Sequence, residues 1–431
     1  MLPETLTKPG AYEVVSTWEL VDLVRKELSS SSMRSEADVR PVPELLPLTR
    51  RDGVRPIEVL LALGKTTSAL PGLATAGAAG MAGLTALRSA SRWAILRYLW
   101  AFSDGRPDLC LSDLTEQVRF HQRTILSEQF GIAIAADVVE QLILREPASV
   151  IDADAVAYDP VLGISMSGLR SHKPDYFWYC HEGEQLSQVV VVEAKGTTSG
   201  TRRTISQLAR GVEQVLVPSR IPGVPTRRIV VGAGFRGRRI CAYAVEVGEP
   251  DVALRQDAVA VIRKREASTP GRRHRTFTED DEGYGVEDEA AYFATVDSAD
   301  AAREVLIEDQ VRLHTFAGQS VTRETILADS QSARARIETL EPVYAEGATF
   351  RCESTRVALG QRMLQVRTGV ADELLVPLDE FAGRDLSARR EHHRRGRDGA
   401  GYRLVHAETA DGQGLDVVTS PDGCMLSVSL E

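Results

Sequence analysis

Two acidic residues and a lysine near the middle of the chain have a spacing that could support metal-assisted chemistry. Asp175 lies at the start of one β-rich segment, and Glu193 and Lys195 lie at the end of the next. Side chains alternate between the faces of a strand, so Glu193 and Lys195 should point the same way. A polar turn centred near residue 184 separates the segments, midway between 175 and 193. Because residues equidistant from a hairpin turn face each other, we predict that Asp175 lies across from Glu193.

Two carboxylates and one ammonium at one place are the groups needed to hydrolyse a phosphodiester. Carboxylate oxygens are suitable ligands for Mg²⁺ or Mn²⁺. Such a metal lowers the pKa of bound water and stabilises charge on a phosphoryl group, and an adjacent lysine can orient the attacking water. A simpler interpretation is an exposed, weak Glu193–Lys195 ion pair. The valines of 189–192 argue against it, because they predict a strand buried on both faces, at whose end charges need partners or a ligand.

The same residues resemble a known family. Pro174-Asp175, a hairpin turn and then Glu193-Ala194-Lys195 are similar to the signature of the PD-(D/E)XK, or restriction endonuclease-like, nuclease superfamily. The predicted order of elements over roughly 110–250 also resembles the αβββαβ core of that α/β fold. The resemblance implies Asp175 and Glu193 as metal ligands, Lys195 as the catalytic lysine and Mg²⁺ or Mn²⁺ as cofactor. It implies a DNA substrate, with double-stranded DNA favoured, and a role in bacterial defence or restriction, with repair and mobile-element processing as rivals.

The resemblance also points to side chains on the two flanking helices. The family often adds an acidic residue from the helix before the first strand, and Glu128 and Glu140 are the candidates. The small residues that follow Glu128 favour it as a third metal ligand, and Glu140 is then a solvent-facing helical charge. Related nucleases often carry a glutamine on the helix after the lysine, which here is Gln207.

Four basic residues near the motif are candidates for binding nucleic acid, namely Arg202, Arg203, Arg210 and His172, and for His172 a polar residue at a strand end is the favoured alternative. Arg203, Gln207 and Arg210 recur at helical spacing and form one polar face. A solvated face of an amphipathic helix is the competing interpretation. A second basic run, 389–397, is expected to be either a solvated loop or a contact with the nucleic-acid backbone.

The elements that must position these residues suggest several units. A chain of 431 residues exceeds the usual size of one core, so two or more domains are expected. Apolar residues at helical spacing, including Val14, Trp18 and Val21, predict that the N-terminal region is helical. Opposite charge runs, six Lys/Arg in 263–275 and seven Asp/Glu in 279–289, predict a linker. The expected units are an N-terminal helical region (1–109), a nuclease-like domain (110–262), a charged linker (263–290) and a C-terminal α+β domain (291–431) with turns at 411–412 and 421–423.

Composition narrows the class and the location of the protein. The formal net charge is −10, which excludes a basic nucleic-acid coat protein but not a local basic groove. Residues 66–87 are uncharged but rich in Ala, Gly, Thr and Ser, so a buried segment is favoured over a membrane span. Five cysteines without a CxxC pair fit a cytoplasmic protein.

DNA is the expected partner, and a protein partner or a homodimer is a further option. The alternative function is a catalytically inactive nuclease-fold subunit that binds or scaffolds a larger complex.

Overall fold

A computed structural model describes the chain in several ranges. These are 4–30, 42–67, 90–103, 107–146, 148–153, 173–182, 185–215, 224–248, 337–359, 361–372 and 401–430, with single residues 322, 324 and 375. His172, the charged linker 263–290 and the basic run 389–397 lie outside these ranges. Within them, no helix is long and apolar enough to cross a membrane.

An eight-stranded mixed sheet forms the centre of an α/β unit. Its strand order is β3-β1-β8-β7-β6-β5-β4, and β2 pairs with β8. The β6–β7 and β1–β8 pairs are parallel and the others antiparallel. The strands are β1 (Gly10–Val15), β2 (Pro43–Glu44), β3 (Arg50–Val54), β4 (Ser149–Asp152), β5 (Tyr176–Glu182), β6 (Gln185–Thr197), β7 (Thr226–Arg236) and β8 (Arg239–Val247).

Helices cover both faces of this sheet. They are α1 (Glu4–Thr7), α2 (Trp18–Ser30), α3 (Pro56–Thr67), α4 (90–98), α5 (Leu114–Gln117), α6 (Phe120–Asp137) and α7 (Thr201–Gln214), and α6 continues into a π-helical segment, Val138–Leu144. Val190 and Val192 belong to the apolar core that α6 helps to form, whereas Val189 and Val191 belong to the core under α7. The prediction that β6 is buried on both faces is therefore confirmed.

The N-terminal region is not the helical unit that the sequence predicted. Val14, which was assigned to a helical stripe, lies in β1, and only the residues from Trp18 onward are helical. β1 pairs in parallel with β8, and β3 extends the sheet beyond β1. Long-range strand pairing has overridden the local helical pattern, and the N-terminal region is part of the same sheet as the candidate site.

The described residues of the C-terminal region form a closed six-stranded barrel, where an α+β domain was expected. The strand order around the barrel is β10-β11-β14-β13-β12-β9. The predicted turns at 411–412 and 421–423 are present, between β12 and β13 and between β13 and β14. The strands are β9 (Glu341–Ala345), β10 (Ala348–Leu359), β11 (Arg362–Ala371), β12 (Arg403–Thr409), β13 (Gly414–Thr419) and β14 (Cys424–Leu430).

Candidate active site

Asp175 and Glu193 meet at one edge of the sheet, as the hairpin geometry predicted. Tyr176 pairs with Val192, and the Asp175 amide donates to the Val192 carbonyl at 3.1 Å. This register brings Asp175 beside Glu193. The Ala194 amide also donates to Asp175 Oδ2 at 2.8 Å, so the aspartate is held by backbone contacts to β6. The position of both carboxylates is therefore fixed by the β5–β6 pairing.

The Glu193 carboxylate is fully buried and only half satisfied. Its exposed fraction is 0%, and its Oε1 accepts a hydrogen bond from Lys195 Nζ. Glu193 Oε2 has no fixed hydrogen-bond donor among the residues that the structure describes, and the Glu193 and Asp175 carboxyl groups are close enough to share a proton. Helix α7 packs against the stem of this side chain, since a Cβ built on Gly211 would lie 3.1 Å from Glu193 Cγ. A buried acceptor without a fixed donor is costly, and a bound proton, water or ion would satisfy it.

The electrostatics of the pair favour a bound proton or a bound cation. Burial, followed by the negative charge of Asp175, raises the pKa of Glu193 to about 8, although Lys195 opposes the shift. Burial also raises the pKa of Asp175, against the opposing effects of Lys195 and the Ala194 amide. Two carboxylates in a dry site repel each other when both are charged. Near neutral pH the pair therefore needs a proton, or a positive charge in its place.

Glu128 is not brought into this pair. Its side chain is exposed, and within the described ranges no group of three or more His, Cys, Asp or Glu side chains is placed to hold a metal. The backbone of α6 nevertheless passes close to the site, because a Cβ on Gly196 would collide with the Ser127 carbonyl and the Glu128 amide. The helix that the sequence singled out therefore packs against the end of β6, but the Glu128 side chain does not reach Asp175 and Glu193.

Two glutamines of α7 contact the site segments. Gln207 Nε2 donates to the Gly196 carbonyl at 3.4 Å, and Gln207 Oε1 is buried with no partner in the described part of the chain. Gln214 Nε2 donates to the Lys173 carbonyl at 3.2 Å, which anchors the segment before Asp175. The sequence singled out Gln207, but it gave no sign that Gln214 ties α7 to the start of the motif.

The predicted nucleic-acid contacts are only partly described. Arg202, Arg203 and Arg210 are exposed on α7, as a substrate-binding role requires. Sequence reasoning missed the turn between β7 and β8. Thr197 pairs in parallel with Gly234, so this turn lies at the edge of the sheet where β6 ends. Its three arginines form ion pairs with nearby carboxylates, so this turn adds little net charge; the pairs are Arg236–Glu13 (3.1 Å), Arg238–Asp113 and Arg239–Asp108 (3.3 Å).

Glu140 is buried, and the expectation of a solvent-facing charge is wrong. Its exposed fraction is 6%. Lys65 Nζ lies 3.1 Å from its Oε2, Trp178 Nε1 donates to its Oε1 at 3.2 Å, and Tyr402 Oη donates to its Oε2 at 2.8 Å. Lys65 also lies 2.9 Å from Asp422 of the barrel. Glu140 is therefore the centre of a charged cluster between the α/β unit and the barrel.

Comparison of the chain with protein-family models, with curated proteins and with solved structures finds no match. The function therefore has to be inferred from the geometry around Asp175, Glu193 and Lys195.

Proposed function

We propose that the protein is a metal-dependent nuclease that hydrolyses phosphodiester bonds of DNA, with double-stranded DNA as the favoured form. The observation that carries the proposal is Glu193 Oε2, a fully buried carboxylate oxygen without a fixed hydrogen-bond donor among the described residues. Asp175 lies beside it on the neighbouring strand, and Lys195 contacts its other oxygen.

The donor set fits a divalent cation such as Mg²⁺ or Mn²⁺. Asp175 and Glu193 would hold it, since both offer hard carboxylate oxygens and the burial that raises their pKa values would be offset by a positive charge. When bound, such an ion lowers the pKa of a coordinated water and stabilises negative charge on a phosphoryl oxygen. Removing the ion with a chelator is expected to stop cleavage.

Lys195 and Gln207 would orient the reacting groups. The Lys195 ammonium is partly exposed and forms an ion pair with Glu193 Oε1. It can therefore donate a further hydrogen bond to a water or to a phosphate oxygen. In the transition state such a donor is expected to stabilise developing charge. Gln207 lies against the Gly196 carbonyl and has a free amide oxygen in the described part of the chain, with which it can hold the attacking water.

The order of elements supports the proposal. Residues 120–236 run helix, three strands, helix, strand, with β6 and β7 parallel. We include in the proposal that this part has a restriction endonuclease-like core and that the protein serves bacterial defence or restriction, as the resemblance implies. Arg202, Arg203 and Arg210 would contact phosphates, because they are exposed on the helix that follows Lys195.

A second candidate is a nuclease-fold subunit that binds or scaffolds partners without cleaving DNA. The observation that favours it is that, within the described ranges, no third carboxylate is placed to share a metal with Asp175 and Glu193. Binding of Mn²⁺ distinguishes the two candidates. The nuclease is expected to bind Mn²⁺ through Asp175 and Glu193, whereas a site remodelled for scaffolding would not.

The direct test is incubation of the purified chain with plasmid DNA in Mg²⁺ or Mn²⁺, against an EDTA control. We expect nicked or linear plasmid with metal and intact plasmid with EDTA. Single-stranded DNA and RNA substrates should be included in the same experiment. If every nucleic acid stays intact while Mn²⁺ still binds, catalysis is disproved; if Mn²⁺ does not bind either, the metal site is disproved as well.

A further inference from the structure

Helix α4 and the start of α6 expose aromatic rings that the core does not use. Trp93 is 37% exposed, Trp100 56% and Phe120 70%. Trp93, Leu96 and Trp100 recur at three- and four-residue spacing, so they form one stripe along α4 and the turn after it. The opposite face of α4 is buried in the core. Clustered apolar side chains on a surface mark an interaction site.

Positive charge accompanies these rings. Segments 90–103 and 117–127 contain no Asp or Glu, although the whole chain has a net charge of −10. They contain four arginines: Arg92, Arg97, Arg119 and Arg123. The Arg97 guanidinium lies 5.2 Å from the Trp93 ring centre and donates to Gln122 at 2.9 Å, so it is held in place. The combination of exposed rings and arginines is complementary to an anionic, aromatic ligand, although the exposed carboxylates of Glu116 and Glu128 flank the second segment.

This surface is connected to the candidate site through one helix. The Arg97–Gln122 hydrogen bond and a hydrogen bond from Tyr98 to Gln129 join α4 to α6. Helix α6 in turn packs against Lys195 and Gly196 at the end of β6, where a Cβ on Gly131 would lie 2.6 Å from the Lys195 carbonyl oxygen. The surface and the candidate site therefore share one helix, although the Glu193 side chain points to the opposite face of the sheet, under α7.

We infer that this surface, defined by Trp93, Trp100 and Arg97, binds single-stranded nucleic acid. Every base has a face that stacks on an aromatic ring whatever the sequence, and the arginines match the phosphates. The inference deepens the proposed nuclease function, on which its link to cleavage rests. It names as substrate a DNA that has a single-stranded segment.

The test is binding of a fluorescein-labelled oligothymidylate of about 15 nucleotides, in EDTA so that nothing is cleaved. We expect Trp93→Ala and Trp100→Ala each to weaken binding about five- to hundredfold. Trp93→Phe should bind close to wild type, since the ring is kept. Trp18→Ala is the matched control, because Trp18 is 60% exposed on α2 and should not affect binding.

Two results would overturn the inference: a wild-type chain that does not bind the oligonucleotide, or a Trp93→Ala/Trp100→Ala double variant that binds as tightly as wild type. If the double variant instead loses self-association in sedimentation and binds DNA normally, the surface joins two copies of the chain and the inference is overturned. Its failure is separable from that of the proposed function. Plasmid cleavage by wild type tests the nuclease alone, and tryptophan-dependent binding in EDTA tests the surface alone.

Discussion

The buried carboxylate of Glu193 decides how the candidate site should respond to pH. Burial and the charge of Asp175 raise its pKa from 4.5 to about 8. Between these values the folded protein keeps a proton that the unfolded chain releases. The stability that this proton gives is therefore present below about pH 4.5 and is lost as the pH rises toward 8.

This fall in stability with rising pH leads to a prediction for the metal-free protein. Chemical unfolding in EDTA should show stability falling as the pH rises from 5 to 8, by at most about 1.4 kcal/mol per pH unit from this group. Glu193→Gln cannot ionise, so its stability should depend less on pH over that range. Glu13→Gln, a half-exposed carboxylate on the same sheet, serves as control and should keep the wild-type slope. Equal slopes in wild type and Glu193→Gln would show that Glu193 is already ionised.

At the residue scale the sequence predicted the positions that depend on local geometry. The Asp175–Glu193 pair follows from alternation along β6 and from the hairpin midpoint, both of which are short-range properties. The direction of Glu128 could not be predicted, because it depends on how α6 turns against β6. Glu140 was misjudged because its partners, Lys65 and Tyr402, are distant in the chain.

At the scale of elements, the close approach of α6 to β6 sets the shape of the site. Gly196 lies where the α6 backbone crosses β6, and a Cβ there would collide with the Ser127 carbonyl. The colliding atom belongs to the backbone of a helix, so it cannot rotate away. The approach therefore requires a residue without a side chain.

Gly196→Ala is accordingly expected to push α6 from the sheet and to lower the free energy of unfolding by about 1–3 kcal/mol or more. The rate of DNA cleavage should also fall, because a displacement at Gly196 would move the adjacent Lys195. Gly232→Ala is the matched control on β7, because its Cβ would meet only the side chains of Leu208 and Thr204, at 3.3 Å. Thermal unfolding of both variants measures the difference. A Gly196→Ala protein as stable as Gly232→Ala would contradict the tight crossing.

The β5–β6 hairpin, α7 and β7 could be predicted, because each has a local sequence pattern and they follow one another in the chain. β1 could not be predicted, because it pairs with β8, which is the last strand of the α/β unit in the sequence. The apolar spacing that suggested one helix from Val14 is shared between a strand and the helix that follows it. The spacing of apolar residues alone does not reveal where a strand ends and a helix begins.

At the scale of the whole molecule, the Glu140 cluster joins the barrel to the α/β unit. Lys65 contacts Glu140 from α3 and Asp422 from the barrel, and Tyr402 reaches Glu140 from the barrel side. Although burial opposes it, the carboxylates of Asp422 and Glu140 raise the pKa of Lys65, which therefore stays charged. A buried charge that loses its partner is far more costly than an exposed one.

Glu140→Ala should reduce stability by about 2–5 kcal/mol, since it leaves buried donors on Trp178 and Tyr402 without an acceptor, while Lys65 keeps its contact with Asp422. Glu346→Ala is the control, because it breaks the exposed 2.6 Å pair with Arg403 in the barrel and should cost about 1 kcal/mol or less. Urea unfolding of both variants gives the comparison. Similar losses for the two would mean that the barrel is not held by the buried cluster.

The closed barrel was beyond sequence reasoning, although its turns at 411–412 and 421–423 were predicted. A turn depends on a few adjacent residues, whereas closure depends on the pairing of β12 with β9, which lies far back in the chain. The contact between barrel and α/β unit was hidden for the same reason. Single charges such as Lys65 and Asp422 carry no local sign of each other.

The most direct measurement of the central claim is the cleavage rate of wild type, Asp175→Ala and Lys195→Ala on one DNA substrate in Mg²⁺. Asp175→Ala removes a proposed metal ligand, so we expect no cleavage. Lys195→Ala should keep Mn²⁺ binding but cleave about 10²–10³-fold more slowly, because a donor to the transition state is lost. Both variants should stay folded, and Glu13→Gln should cleave like wild type. Wild-type rates in both Asp175→Ala and Lys195→Ala would contradict the assignment of the active site.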